Sequence, residues 1–182
     1  MSDHDQTIPR LPSLLGQAMR PLPLAPLSVT LSMLARRIAT RHPGLFARLG
    51  HYRESRFLLD PTDLPFLLLL DLRAGGVKVS AHRTAPMAEA RIAGPIAAFL
   101  GMMHGAYDGD ALFFSRDLVV EGDTSAVVAL RNAIDDAELD LAAELAEMAG
   151  PLKPFVQQAV SLAEKGSGVV LHRVDTLAGD WT

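Results

Sequence analysis

At 182 residues the chain has room for one domain with a sizeable core and too little for two ordinary ones. Its 49% apolar and 21% charged residues exclude a disordered chain, and the absence of cysteine excludes disulfides, thiolate metal sites and a Cys nucleophile. The net charge of −4 hides an asymmetry, because residues 1–56 hold eight Arg against Asp3, Asp5 and Glu54 (+5) and the remainder holds nine Lys or Arg against eighteen Asp or Glu (−9).

Taken in order, residues 1–9 read as a polar tail without the basic and apolar regions of a secretory signal, so none is expected. Pro9, Pro12, Pro21, Pro23 and Pro26 lie among leucines, and proline removes donors and fixes φ, so residues 9–26 are expected to be extended or broken. Ser28 is placed to cap a helix in which Leu27, Leu31, Leu34 and Ile38 form one stripe. Arg36, Arg37 and Arg41 follow near its C-terminal end, which suits the helix dipole. Pro43-Gly44 breaks that pattern, and Leu45, Phe46 and Leu49 suggest a further short helix.

Two readings stand for this arm. Its leucine stripe packs on the body with the arginines in solvent, the usual fate of an amphipathic helix. Alternatively, Leu27, Leu31, Leu34, Arg36, Arg37 and Arg41 contact an anionic membrane surface. Nucleic acid is not expected as a partner, since the arm's only aromatics are Phe46 and Tyr52 and no recognition motif is present.

From Tyr52 the pattern turns to sheet. Phe57-Leu58-Leu59 is a short strand ended by Asp60-Pro61, and Phe66 to Leu72 is nearly all apolar. The longest apolar run, Phe66 to Leu70, is far below the roughly 20 residues of a membrane span and fits a buried strand. Arg73-Ala74-Gly75-Gly76 is a turn, after which Val77, Val79 and Ala81 alternate with Lys78, Ser80 and His82. Ala88, Ala90 and Ile92 alternate with Glu89 and Arg91. Together these predict a consecutive antiparallel meander. Gly94-Pro95 opens a helix with Ile96, Phe99, Leu100 and Met103 on one face, closed by His104-Gly105.

The segment from Asp110 to Asp136 carries the sharpest pattern. Leu112, Phe114, Leu118 and Val120 alternate with Ser115, Asp117 and Glu121, the period of a strand with one buried face. Glu121-Gly122-Asp123 then turns the chain, and Asp123 or Thr124 caps a helix that aligns Val127, Leu130 and Ile134. Beyond it Leu139, Ala142, Leu145 and Met148 recur at helical spacing until Gly150-Pro151, and Phe155, Ala159 and Leu162 mark another helix.

No catalytic motif is present: neither G-x-S-x-G, nor a P-loop, nor H-E-x-x-H, nor G-x-G-x-x-G occurs. The six histidines (4, 42, 51, 82, 104 and 172) never stand at i, i+4, so no helical metal site is expected. Asp135 and Asp136 point to different faces of a helix and read as solvated carboxylates. Asp108-Gly109-Asp110 reads as a turn with too few ligands for calcium. Arg116 interrupts an apolar face, either snorkelling at a sheet edge or meeting a ligand head group.

The run LFF-SRDLVVEGDT, ahead of an apolar helix, resembles the final strand and helix of the sterol-carrier-protein type 2 superfamily. Within it, the chain looks like the ubiquinone anaerobic biosynthesis accessory factors of the UbiT family. The resemblance implies an α+β domain of about five antiparallel strands covered by helices on one face, with a helical N-terminal arm. On that scheme residues 1–50 are the tail and basic arm, 51–140 the lipid-binding domain, and 141–182 C-terminal helices and tail packed on the same domain. It also implies an elongated cavity between sheet and helices. Its walls are expected from Phe66, Leu68, Leu70, Ile96, Phe99, Leu100, Met103, Phe113, Phe114, Leu118, Val120, Val127, Leu130 and Ile134.

The function so implied is non-catalytic: an accessory factor that holds isoprenoid quinone or its precursors for oxygen-independent ubiquinone biosynthesis. UbiU and UbiV are the implied hydroxylation partners. No cofactor or metal is expected, and the implied location is the cytoplasm, peripheral at the inner membrane. A general phospholipid or fatty-acyl carrier using the same cavity is the alternative.

Overall fold

A computed structural model describes residues 8–73, 76–103, 117–137 and 141–148. The expected strand residues 112–116, the Asp108-Gly109-Asp110 turn, Arg116, Phe113, Phe114 and everything after 148 lie outside the described residues.

Five strands form one sheet: β1 (Arg56–Pro61), β2 (Leu67–Asp71), β3 (Lys78–His82), β4 (Ala90–Gly94) and β5 (Val119–Gly122). Their spatial order is β3-β2-β1-β4-β5. β2 is antiparallel to β1 and to β3, and β5 is antiparallel to β4. β4, however, runs parallel to β1, pairing Phe57 with Ala90 and Leu59 with Ile92. The sheet is therefore mixed, which corrects the expected antiparallel meander. The β2–β3 hairpin serves as the crossover that a parallel pair requires. Alternation tells which face a residue occupies and is silent about its neighbouring strand, so this error was built into the sequence pattern.

The faces themselves follow the alternation. One cross-strand row runs Ala81, Leu68, Leu59, Ile92, Val120, and the next runs Val79, Leu70, Phe57, Ala90, Gly122. Both lie on the helix-covered side. The opposite face buries Leu58, Leu69 and Ala93 and carries Arg91 between Asp60 and Glu121.

Six helices are described: α1 (Ser13–Ala18), α2 (Leu24–Arg41), α3 (Pro43–Leu49), α4 (Ile96–Met103), α5 (Thr124–Ala137) and α6 (Leu141–Met148), with a 3₁₀ turn at Gly50–Glu54. Two expectations near the N-terminus need correction. The proline-rich stretch contains α1, and α2 begins at Leu24 with Pro26 inside its first turn, where the missing N–H would be unbonded anyway. Ser28 is not a cap. It lies one turn inside α2, where its hydroxyl donates to the Leu24 carbonyl (2.7 Å) and accepts from the Ala81 amide (2.9 Å).

That last bond belongs to a row. The Ser32 hydroxyl donates to the Val79 carbonyl (2.6 Å) and accepts from the Val79 amide (3.0 Å). Arg36 Nε donates to the Val77 carbonyl (3.2 Å). Ser28, Ser32 and Arg36 stand at i, i+4 and i+8, so one face of α2 satisfies the outward backbone groups of the edge strand β3 and covers an edge that would otherwise invite pairing.

At the other end the chain turns as its sequence predicts. Asp123 Oδ1 accepts from the Ala126 amide (3.1 Å), capping α5. Gly122 takes φ +85 where β5 hands over to α5. α4 has a cap from a distant loop: Asp63 Oδ1 accepts from the Ile96 amide (2.9 Å), while Oδ2 accepts from the Leu11 amide (3.0 Å).

Candidate functional site

The helices do not settle flush on the sheet. An apolar cavity of about 320 Å³ remains between the layers, a size within the range of small-molecule sites. The sheet supplies its floor through Leu59, Pro61, Leu68, Leu70, Leu72, Val77, Val79 and Ile92. α2 supplies Leu31, Leu34, Ala35, Ile38 and Ala39, and α3 adds Leu45 and Phe46. α4 contributes Ile96, Phe99, Leu100, Met102 and Met103, and α5 contributes Val127, Leu130, Arg131 and Ile134. A cavity with this lining has few partners for water and many for hydrocarbon.

Of the expected wall residues, Leu68, Leu70, Ile96, Phe99, Leu100, Met103, Val127, Leu130 and Ile134 face the cavity. Phe66 and Leu118 are buried outside its lining, and Val120 is half-buried against the adjoining core. Sequence reasoning passed over Val77, Val79 and Ile92, although each was read on the apolar face of its strand, and Leu59, which was read only as part of a short strand. It also passed over α3, whose Leu45 and Phe46 were visible only as a short helix.

The arm residues have definite places. Leu31 and Leu34 line the cavity and Leu27 is half-buried, so α2 is one of the cavity walls. Arg37 Nε donates to Glu144 Oε2 (3.0 Å) and Nη2 to Glu147 Oε2 (2.7 Å), while Arg41 Nη1 donates to Glu144 Oε1 (3.0 Å). This clasp ties α6 to α2 and brings Met148 against Leu34 and Ile38. Its hydrogen bonds from Arg41 and Arg37 hold the Glu147 carboxyl below the ordinary range.

Arg131 is the single charged side chain among the described lining residues, and its Nε lies 3.3 Å from Asp135 Oδ2 one turn on. Among the described residues no cluster of His, Asp or Glu has the makings of a metal site. No described helix is long and apolar enough to cross a membrane.

A mixed five-stranded sheet, a helical cover and an apolar chamber between them define the class of small lipid-carrier domains. The chain belongs to the SCP-2 sterol transfer family, whose model matches residues 36–135. Among solved structures it is similar to a UbiJ-SCP2 ubiquinone synthesis protein, with 20% identity, a TM-score of 0.54, and coverage of 64% of this chain and 96% of that one. It also resembles sterol carrier protein 2 of Yarrowia lipolytica in its apo form, at 16% identity and TM-score 0.45, covering 62% and 92% of the two chains. A third likeness is to sterol carrier protein domain 2 of Helicoverpa armigera, at 12% identity and TM-score 0.44, covering 58% and 83%. A search of curated proteins finds no match.

Proposed function

We propose that this chain is a non-catalytic accessory factor that holds an isoprenoid quinone, or a precursor of one, for oxygen-independent ubiquinone biosynthesis. The observation that carries the proposal is the cavity: it is walled by four helices and a sheet, and its described lining is apolar side chains around one arginine. A polyprenyl tail is insoluble, and a dry chamber of this kind holds it while leaving its ring to soluble enzymes. The similarity to a UbiJ-SCP2 ubiquinone synthesis protein and the LFF-SRDLVVEGDT signature both favour a quinone over other lipids. On this reading UbiU and UbiV supply the hydroxylation chemistry.

The protein then works in the cytoplasm, peripheral to the inner membrane. Support for a membrane approach comes from the outer side of α2, where Val29 and Met33 are 59% and 57% exposed one turn apart, in an arm whose residues 1–56 carry a net charge of +5. Liposome flotation tests this part: binding should favour anionic vesicles and weaken with salt. Equal binding to neutral vesicles at all salt concentrations would remove the charge contribution.

Lipid extraction and mass spectrometry of the purified protein test the main reading. Quinone precursors are the expected content. Mixed phospholipids or fatty acids would establish the general carrier instead, and turnover of a bound ligand by the protein alone would make it an enzyme.

A further inference from the structure

The helices that wall the cavity meet at one junction. Leu45 of α3, Met103 of α4 and Ile134 of α5 pack against the Leu34–Ile38 pair of α2, and all five side chains line the cavity. Met148 of α6 packs against the same pair but does not line the cavity, and it is half-buried. It therefore lies on the outer side of a junction where four helices touch through side chains, with no hydrogen-bonded ladder to seal it as strands would be sealed.

Charge fastens α6 in that place. Arg37 and Arg41 share Glu144 and Glu147 in four contacts of 2.5–3.0 Å. The partners differ in how far solvent reaches them: the Arg37 and Arg41 side chains are 32% and 45% exposed, and that of Glu144 is 9% exposed. An external anion can thus engage the arginines from outside. Their departure would leave Glu144 buried without these partners, a costly state that lifting α6 into solvent relieves. The arginines also end a row. Val29, Met33, Arg37 and Arg41 stand four residues apart along α2, and the first two are exposed apolar side chains. A surface that receives Val29 and Met33 meets the arginines one and two turns further on.

We infer that α6 covers a port into the cavity, that the clasp between Arg37, Arg41, Glu144 and Glu147 is its fastening, and that an anionic membrane surface unfastens it by drawing the arginines away. The cavity is then shut in solution and opened where its ligand resides. The inference rests on the membrane approach and the lipid cavity proposed above, and it adds the device that couples them.

The test loads the full chain with a fluorescent long-chain alcohol, which is neutral and so indifferent to the arginines, and follows its release to vesicles. Release to phosphatidylcholine vesicles with added phosphatidylglycerol should exceed that to phosphatidylcholine alone by about tenfold, the order that two arginines drawn to an anionic surface can supply. Glu144→Gln with Glu147→Gln keeps the arginines but weakens the clasp, and should release rapidly to the neutral vesicles as well. A second measurement needs no variant: in wild type, amide exchange of residues 144–148 should quicken on the anionic vesicles while that of Val127 does not. Anionic vesicles that bind the protein without speeding release, or a double variant as slow as wild type on neutral vesicles, would overturn the port while leaving the cavity and the membrane approach intact. Faster release with unchanged protection of residues 144–148 would overturn it too, by placing the route elsewhere. Failure to float with anionic vesicles would overturn the membrane reading, and failure to take up the probe the cavity reading, each with this inference.

Discussion

The two ends of the sheet are built on opposite principles. At the β4–β5–α5 corner there is no spare space. A Cβ on Gly122 would lie 2.4 Å from the Glu89 carbonyl oxygen and 3.2 Å from Ala90 Cα, and one on Gly94 would lie 2.6 Å from both the Asp117 carbonyl oxygen and Leu118 Cδ2. Ala98, Ala126 and Ala133 are fully buried there, so the helices approach closely. At the β3 edge, by contrast, α2 stands over the cavity and cannot seat its whole apolar stripe on the sheet. Hydrogen bonds from Ser28, Ser32 and Arg36 hold it at the rim instead. Close packing fixes the fold at one end, and a polar seam keeps a void open at the other.

The largest break of that contrast is Gly122→Val. A β-branched residue at φ +85 is strained whatever the space, and here a backbone oxygen also occupies the site of its Cβ. The expected loss is about 3 kcal/mol or more, read by chemical denaturation. Wild-type stability in this variant would show that the corner is not tightly built.

Met103→Asp strikes the opposite end. Met103 lines the cavity from the last turn of α4, and a carboxylate there faces hydrocarbon without a partner. Retention of a bound apolar probe should fall about tenfold or more, roughly 1.4 kcal/mol. The Gly122 corner should be untouched, with its amides still protected from exchange. Unchanged occupancy in a folded variant would remove Met103 from the binding wall.

The tight corner was the part most legible in the sequence. Gly122 and Asp123 are local signals, a glycine at the turn and a cap three residues ahead of Ala126, and local signals survive into structure. The β1–β4 pairing was illegible because it depends on which strands meet after a hairpin intervenes. The α2 seam failed for another reason. Ser28 carries two competing meanings, a helix cap or a side chain bonded within a helix, and only the nearby β3 edge decides between them. The cavity followed from resemblance, since periodicity marks which residues point inward and never whether they meet.

Ser32→Ala isolates the seam. Its hydroxyl satisfies both the amide and the carbonyl of Val79, and its loss should cost about 1 kcal/mol. The effect should be local: exchange of the Val79 and Ala81 amides speeds up, while that of Val127 at the far corner does not. Unaltered protection at Val79 would mean that packing alone holds α2 in place.

The smallest expected effect is an acid transition confined to the same end. Asp71 is lowered from the ordinary 3.8 to about 2, chiefly by its side-chain hydrogen bond with Arg73. A carboxyl whose pKa is depressed by folding contributes stability that is fully present above the unfolded value. That contribution fades as the pH falls from about 4 through about 2. The Asp71 side chain is 22% exposed, and solvent screening limits the loss to about 1 kcal/mol or less. Glu89 is also held low, by Arg56, but that pair acts at the start of β1, whereas the contacts at Gly122 are made by backbone, including the Asp123 amide on the Glu89 carbonyl (3.0 Å). Between pH 4 and 2, exchange should therefore quicken in residues 76–79 before it does at residues 122 and 123. Arg73→Gln should return the Asp71 carboxyl to the ordinary range in an NMR titration and abolish the difference between the two ends. Simultaneous loosening of both would mean that acid acts through net charge and not through this pair.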